Sequence, residues 1–299
     1  MSLIGIILAL GPAAAPTIGG FVLTVSGWRA IFAVMVGLGI VVVLVTGLFL
    51  RETVVADARR LHPRALAAAY SELLGNRHFL LTAGIVAGAV GALYAQATFL
   101  PFILMDRVGL SPAAFGVGML AQSGSFFAGS LAARALMRRT SAYRLVGPGL
   151  GCIAAGSLGI LMLLVWEPSF ARVMLPVGFY AFGIAFVMPA MTTAGLAPFP
   201  RIAGAAASMM GFLQMGSGLV VGSLGAALGD PVLAMGALIP AMGATACLLY
   251  VVYRRHPHLA EPEPKPTLAG LPVGRTMMPD TPGELAEEAA ERAERTGRP

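Results

Sequence analysis

Gln96, Gln122 and Gln214 each stand inside a long apolar run, as do Tyr180 and Thr192. Their chemistry is hydrogen bonding without charge, because an amide offers donors and an acceptor and a hydroxyl offers one donor with acceptor lone pairs. In apolar surroundings such groups need partners. Two roles supply them: lining a cavity and recognising a ligand there, or tying one helix to another. All five are candidate cavity residues, with helix-to-helix bonding the competing role, slightly ahead for the threonine and slightly behind for the glutamines. No aspartate or glutamate falls in the middle of any of these runs, so the runs supply no intramembrane carboxylate for proton transfer. A catalytic or metal cluster is missing too. Cys152 and Cys247 lie singly in apolar runs, and His62, His78, His256 and His258 fall in polar joints or the tail without metal-ligand spacing. Nothing here points to an enzyme or to a resident cofactor.

The elements that must hold these side chains are transmembrane helices. The chain is 57% hydrophobic and 11% charged, with a mean hydropathy of +0.82, far from a soluble composition. A helix needs about 20 apolar residues to cross a bilayer. Eight runs meet or approach that length: 2–25, 28–50, 79–105, 112–136, 145–166, 173–196, 204–228 and 232–253. Few alternating segments of the kind a β-barrel needs are present, and the first run is too long and lacks the basic start of a signal peptide. The fold class expected is all-α integral membrane, a bundle of antiparallel spanning helices with the lipid bilayer as its surroundings.

Arginines orient the bundle. Arg51, Arg59, Arg60, Arg64, Arg77, Arg134, Arg138, Arg139, Arg144, Arg201, Arg254 and Arg255 fall on one side, and Arg29, Arg107 and Arg172 on the other. Positive charge stays in the cytoplasm, which predicts a multi-pass protein with both termini cytoplasmic. The net charge of +6 therefore reports topology; the basic residues sit in separate loops and form no nucleic-acid footprint.

Within the longest internal joint, Leu66, Tyr70 and Leu73/Leu74 share one face of a predicted amphipathic helix at the cytoplasmic interface. Its role is either a tether between two halves or a surface helix filling a loop. The tail, 254–299, contains "EPEPKP" and is expected to be mostly disordered. In the opening run, Pro12 and Pro16 each remove a backbone hydrogen bond, and Gly19 and Gly20 give a smooth face for close helix contact. The seventh run repeats the device with Gly211, Gly216, Gly218, Gly222 and Gly225, of which Gly218 and Gly222 have GxxxG spacing. It lies six runs after the first, a six-helix internal repeat.

Particular motifs sharpen this pattern. "APTIGG" at 15–20 resembles the antiporter motif of the fifth helix in the Bcr/CflA drug-resistance branch of the major facilitator superfamily, with Ala15 where a glycine is usual. "GWRAIF" and "LRET" resemble the following helix, and "FLPFILMDRVGLSPAAFG" at 99–116 is similar to the seventh-helix end and loop. "GSLAARALMRR" at 129–139 resembles the second-half copy of the cytoplasmic loop motif, and "MPAMTTAGLAPFPRIAGAAASMMGFLQ" at 188–214 resembles the tenth-to-eleventh helix signature. The resemblance runs from Met1 to about Tyr253.

The resemblance implies a major facilitator bundle in which this chain supplies family helices five to twelve: 1–50 as the last two helices of the N-terminal half, 51–78 as the inter-half linker, 79–253 as the six-helix C-terminal half, and 254–299 as the tail. Helices one to four of the family pattern have no counterpart in the sequence. It also implies Gln96, Gln122 and Gln214 on cavity-lining helices, and Gly129, Arg134, Arg138 and Arg139 as a cytoplasmic gate motif, although positive-inside residues need no such role. The activity implied is efflux of small hydrophobic or cationic compounds across a bacterial plasma membrane, driven by the proton gradient through alternating access. The coupling carboxylate would then lie in the family's first-half helices. The alternative is a non-transporting remnant, or a half-transporter that depends on a partner.

Overall fold

The structure, a computed structural model, describes residues 18, 19, 21–23, 25–49 and 63–255. Pro12, Pro16 and Gly20 of the antiporter-motif helix lie outside the described residues, as do positions 51–62 of the linker and 256–299 of the tail. Gly19 is described, and among the described residues nothing approaches within 4 Å of where its Cβ would stand.

Every regular element among the described residues is helical, as the composition requires. The α-helices are α1 Trp28–Phe49, α2 Pro63–Gly75, α3 Arg77–Pro101, α4 Pro112–Leu136, α5 Ala142–Leu161, α6 Phe170–Leu196, α7 Ala203–Ala227 and α8 Pro231–Arg254. With their flanking turns, six of these are long and apolar enough to cross a membrane: α1, α3 and α5 to α8. α4, at 25 residues, has the length to span, about 37 Å at 1.5 Å per residue, but a less apolar, serine- and glycine-bearing sequence.

Local chemistry sets the helix starts. Asn76 accepts a hydrogen bond from Phe79 N at 3.1 Å, Ser111 from Ala114 N at 3.2 Å and Ser169 from Arg172 N at 3.4 Å, each an N-cap satisfying an orphan donor. Asp230 caps α8 by accepting from Val232 N and Leu233 N at 2.8 and 3.3 Å. Pro112 and Pro231 occupy the first helical turn, where their missing N–H costs nothing. α3 gives way to a π-helical turn, Phe102–Arg107, directly after Pro101, and Gly109 follows with φ +84°.

α3 and α6 form the centre. α3 packs against α6, α7 and α8, α6 against α4 and α5, and α5 closes onto α8. In lipid, close packing rather than the hydrophobic effect holds helices together, and glycines make these contacts possible. On α7 the buried positions are Ala206, Met210, Gln214, Gly218, Gly222 and Gly225, a stripe at intervals of four and then three. A Cβ at Gly218 would stand 2.7 Å from Tyr94 Cβ, and one at Gly222 would stand 3.2 Å from Thr98 Oγ1. The expected GxxxG surface is therefore the α3–α7 seam. Gly211 and Gly216 face open space and take no part in it. α1, by contrast, buries no residue; its Arg29 guanidinium lies 4.6 Å from the Trp28 ring centroid.

Connectivity places the basic joints at one end of α3–α8 and Asp106, Arg107, Glu167, Arg172 and Asp230 at the other. At the arginine-rich end, α2 docks on the protein. Leu73 is fully buried in a cluster with Phe79, Ala83, Phe199, Ala206 and Met210, and the Tyr70 hydroxyl lies 3.4 Å from Ser208 Oγ. Leu74 is exposed, so the buried face runs through Ala69, Tyr70 and Leu73. The amphipathic helix thus spends its apolar face on the entrance of α3 and α7.

One sequence-based reading needs correction. His78 is not a joint residue: it is the second residue of α3 and is buried. Its Nε2 lies 2.8 Å from the Ala194 carbonyl, tying the start of α3 to the end of α6, and its ring sits 5.7 Å from that of Tyr253. The Asn76 cap, three residues before Phe79, is the sequence signal that places the helix start ahead of the histidine.

Candidate translocation site

The candidate cavity residues divide by environment. Gln96 has no exposed surface, and neither its Nε2 nor its Oε1 meets a hydrogen-bond partner among the described residues. An unmatched buried amide costs about 1–3 kcal/mol, so the position is held at the expense of stability. Gln96 lies inside the six-helix unit, among the buried face of α3 that includes Ala92, Ala95, Phe99 and Leu100.

Tyr180 is fully buried on α6, and its hydroxyl donates to the Gly88 carbonyl of α3 at 3.4 Å. Its backbone is pinned from the other side by α5, because a Cβ on Gly156 would stand 2.7 Å from Tyr180 N and from the Pro176 carbonyl oxygen. The hydroxyl bond is long, so Tyr180→Phe is expected to cost no more than about 0.5 kcal/mol. Tyr180→Ala, which opens a ring-sized void, should cost about 3–5 kcal/mol. Thermal unfolding in detergent reads the difference; equal losses would mean that the hydroxyl carries the interaction.

Gln214 is buried on α7. Its backbone borders α3, with the Gln214 carbonyl oxygen 3.1 Å from where a Gly91 Cβ would be. One turn on, Ser217 donates to the Ala87 carbonyl at 3.0 Å and to Gln214 O at 2.9 Å. A Gly91 Cβ would also overlap the Ser217 hydroxyl. The structure therefore brings the Tyr180 hydroxyl, the Ser217 hydroxyl and the Gln214 backbone onto the stretch of α3 that runs from Ala87 to Gln96, about 13 Å long.

Thr192 and Gln122 stand apart from that stretch. Thr192 lies twelve residues beyond Tyr180 on α6, about 18 Å along the helix, and its Oγ1 is buried with no partner among the described residues. Gln122 lies on α4, which packs against α6, and its Oε1 is likewise unpartnered. On α6 and α7, Met191 and Met210 are buried in the core, whereas Phe212 and Met215 are exposed.

The gate motif has one buried member. A Cβ on Gly129 would stand 2.6 Å from the Phe182 carbonyl oxygen, so glycine there lets α4 lie against α6. Arg134, Arg138 and Arg139 are exposed and form no ion pair among the described residues; the Arg107–Asp230 pair lies at the opposite end. Among the described residues no group of three His, Cys, Asp or Glu side chains is placed to hold a metal ion.

This architecture, long antiparallel helices with uncharged polar groups buried at mid-span and the described acidic groups confined to the ends, is that of a multi-pass membrane helix bundle. The chain matches the Major Facilitator Superfamily over residues 1–226 and belongs to it. It is 29% identical over 236 residues to Multidrug resistance protein D of Escherichia coli, a match covering 76% of this chain and 57% of that protein. It is 28% identical over 226 residues to Multidrug resistance protein MdtL of Klebsiella pneumoniae, covering 72% and 53%. An uncharacterized MFS-type transporter of Bacillus subtilis, YdgK, is 27% identical over 233 residues, covering 75% and 56%. The chain spans about half the length of these curated relatives. The multidrug names agree with the drug-resistance branch that the motifs resemble.

Proposed function

We propose that this protein exports small hydrophobic or cationic compounds across a bacterial plasma membrane, with both termini in the cytoplasm, in exchange for protons and by alternating access. The observation that carries this reading is the match to the superfamily over residues 1–226, with multidrug resistance proteins among the relatives. The polar chemistry agrees with it. Amides and hydroxyls set among apolar side chains recognise poorly hydrated compounds without fixing one of them, and Gln96 on α3, Tyr180 on α6 and Gln214 on α7 are all buried.

A second reading, a half-transporter that needs a partner or a non-transporting remnant, is favoured by one feature. The acidic residues of the described helices and loops, Glu72, Asp106, Glu167 and Asp230, all lie at or beyond helix ends or in α2. None occupies the interior of a span, where a coupling carboxylate is expected.

Drug-susceptibility profiling in an efflux-deficient bacterium producing the protein tests the export reading. Gln96→Ala and Gln214→Ala are expected to change which compounds are resisted while membrane abundance stays near wild type. Unchanged resistance to every compound would remove both residues from the substrate path. Absence of any resistance from the abundant wild-type protein would favour the second reading.

A further inference from the structure

A cavity of about 410 Å³ opens at the end of the bundle opposite the arginine-rich loops. α3 and its π-helical turn contribute Thr98, Phe99, Phe102, Asp106 and Arg107, and the α7–α8 corner contributes Gly225 and Gly229. Its shape follows from the backbone. Gly225 leaves room for the Phe99 ring, which a Cβ there would overlap, and Gly229 turns the chain between α7 and α8 with φ +73°. The π-helical turn then carries Asp106 and Arg107 to the rim.

The three charges around this cavity, Asp106, Arg107 and Asp230, are not equivalent. Arg107 Nη2 lies 3.7 Å from Asp230 Oδ2, while Asp230 Oδ1 caps α8, so the arginine and the capping aspartate occupy each other. Asp106 has no side-chain partner among the described residues. The site therefore carries one uncompensated negative charge beside the exposed Phe102 ring. A carboxylate next to an aromatic face suits an organic cation, and the volume falls within the range of small-molecule sites, about 300–1,000 Å³. A metal ion is a poor fit, since no triad of ligating side chains is present among the described residues.

We propose that this cavity is a binding site for a small organic cation, held by the Asp106 carboxylate against Phe102 and Phe99. Its role as a waypoint for exported cations rests on the export reading; the binding itself stands on the cavity and its charge.

Ethidium fluorescence titration of the purified full chain in detergent tests it. Asp106→Asn is expected to weaken ethidium by roughly tenfold, the equivalent of about 1.4 kcal/mol, while Asp106→Glu keeps most of the affinity and Phe102→Ala loses a few-fold. Wild-type affinity in a folded Asp106→Asn variant would overturn the proposal, and so would wild-type protein that binds no ethidium. Strong losses in Gln96→Ala or Gln214→Ala with none in Asp106→Asn would place the cation at the central amides. That result sinks the outer site and leaves the export reading standing.

Discussion

Gly156→Ala is expected to be among the most destabilising single-methyl additions in the bundle. The new Cβ would stand 2.7 Å from two backbone atoms of α6, Pro176 O and Tyr180 N, and 3.0 Å from Tyr180 Cα. Backbone cannot rotate away as a side chain can, so α5 and α6 must separate along the seam that also includes Gly149 and Gly183. Overpacking of this kind costs about 1–3 kcal/mol. Gly151→Ala is the control: it lies on the same helix with nothing within 4 Å of its Cβ position, and relief of glycine's helix penalty should leave it neutral or up to about 1 kcal/mol more stable. Melting temperatures of the two variants in the same detergent decide the matter. If they fall together, close approach of α5 and α6 is not what the glycine serves. Because Tyr180 is held between α5 and α3, Gly156→Ala should also disturb the polar stretch on α3.

Gln96→Leu is expected to act in the other direction. Leucine approximates the glutamine's volume without its amide, which has no exposed surface and, among the described residues, no partner for either polar atom. Removing that unmatched group should recover about 1–2 kcal/mol, seen as a rise of a few degrees in melting temperature. The same variant should narrow or shift the set of compounds resisted in cells. A rise in stability with altered resistance identifies a residue kept for function against stability. A fall in stability would instead mean that the amide is satisfied in the folded protein and acts as a structural tie.

The sequence and the structure agree most closely where a single physical rule decides. Long apolar runs between polar joints can only be spanning helices, and described helices stand at seven of the eight runs; the first run lies largely outside the described residues. The glycine pattern on α7 was legible only in part. Spacing singled out Gly218 and Gly222, which the structure places against Tyr94 and Thr98, whereas Gly211 and Gly216 of the same run face open space. Which face of a helix meets a neighbour is a tertiary fact, and composition this uniformly apolar carries little amphipathic signal to reveal it. His78 was hidden for a related reason. A histidine beside an arginine reads as a polar joint, and only the Asn76 cap shows that the helix has already begun.

The polar residues show the same limit more sharply. Gln96, Gln214 and Tyr180 are conspicuous in the sequence as polar groups in apolar runs, yet their convergence on Ala87–Gln96 of α3 depends on the packing of α6 and α7 against that helix. The cavity beside Asp106 was not legible at all, since it arises from a π-helical turn, a left-handed glycine and an ion pair between residues far apart in the chain.

Ethidium accumulation in everted membrane vesicles, with the pH gradient imposed and then collapsed by a protonophore, tests the transport assignment most directly. Proton-coupled export predicts uptake that depends on the protein, requires the gradient and is lost on its collapse. Vesicles rich in the folded protein that show no gradient-dependent uptake of ethidium, or of any compound to which the protein confers resistance, would contradict it.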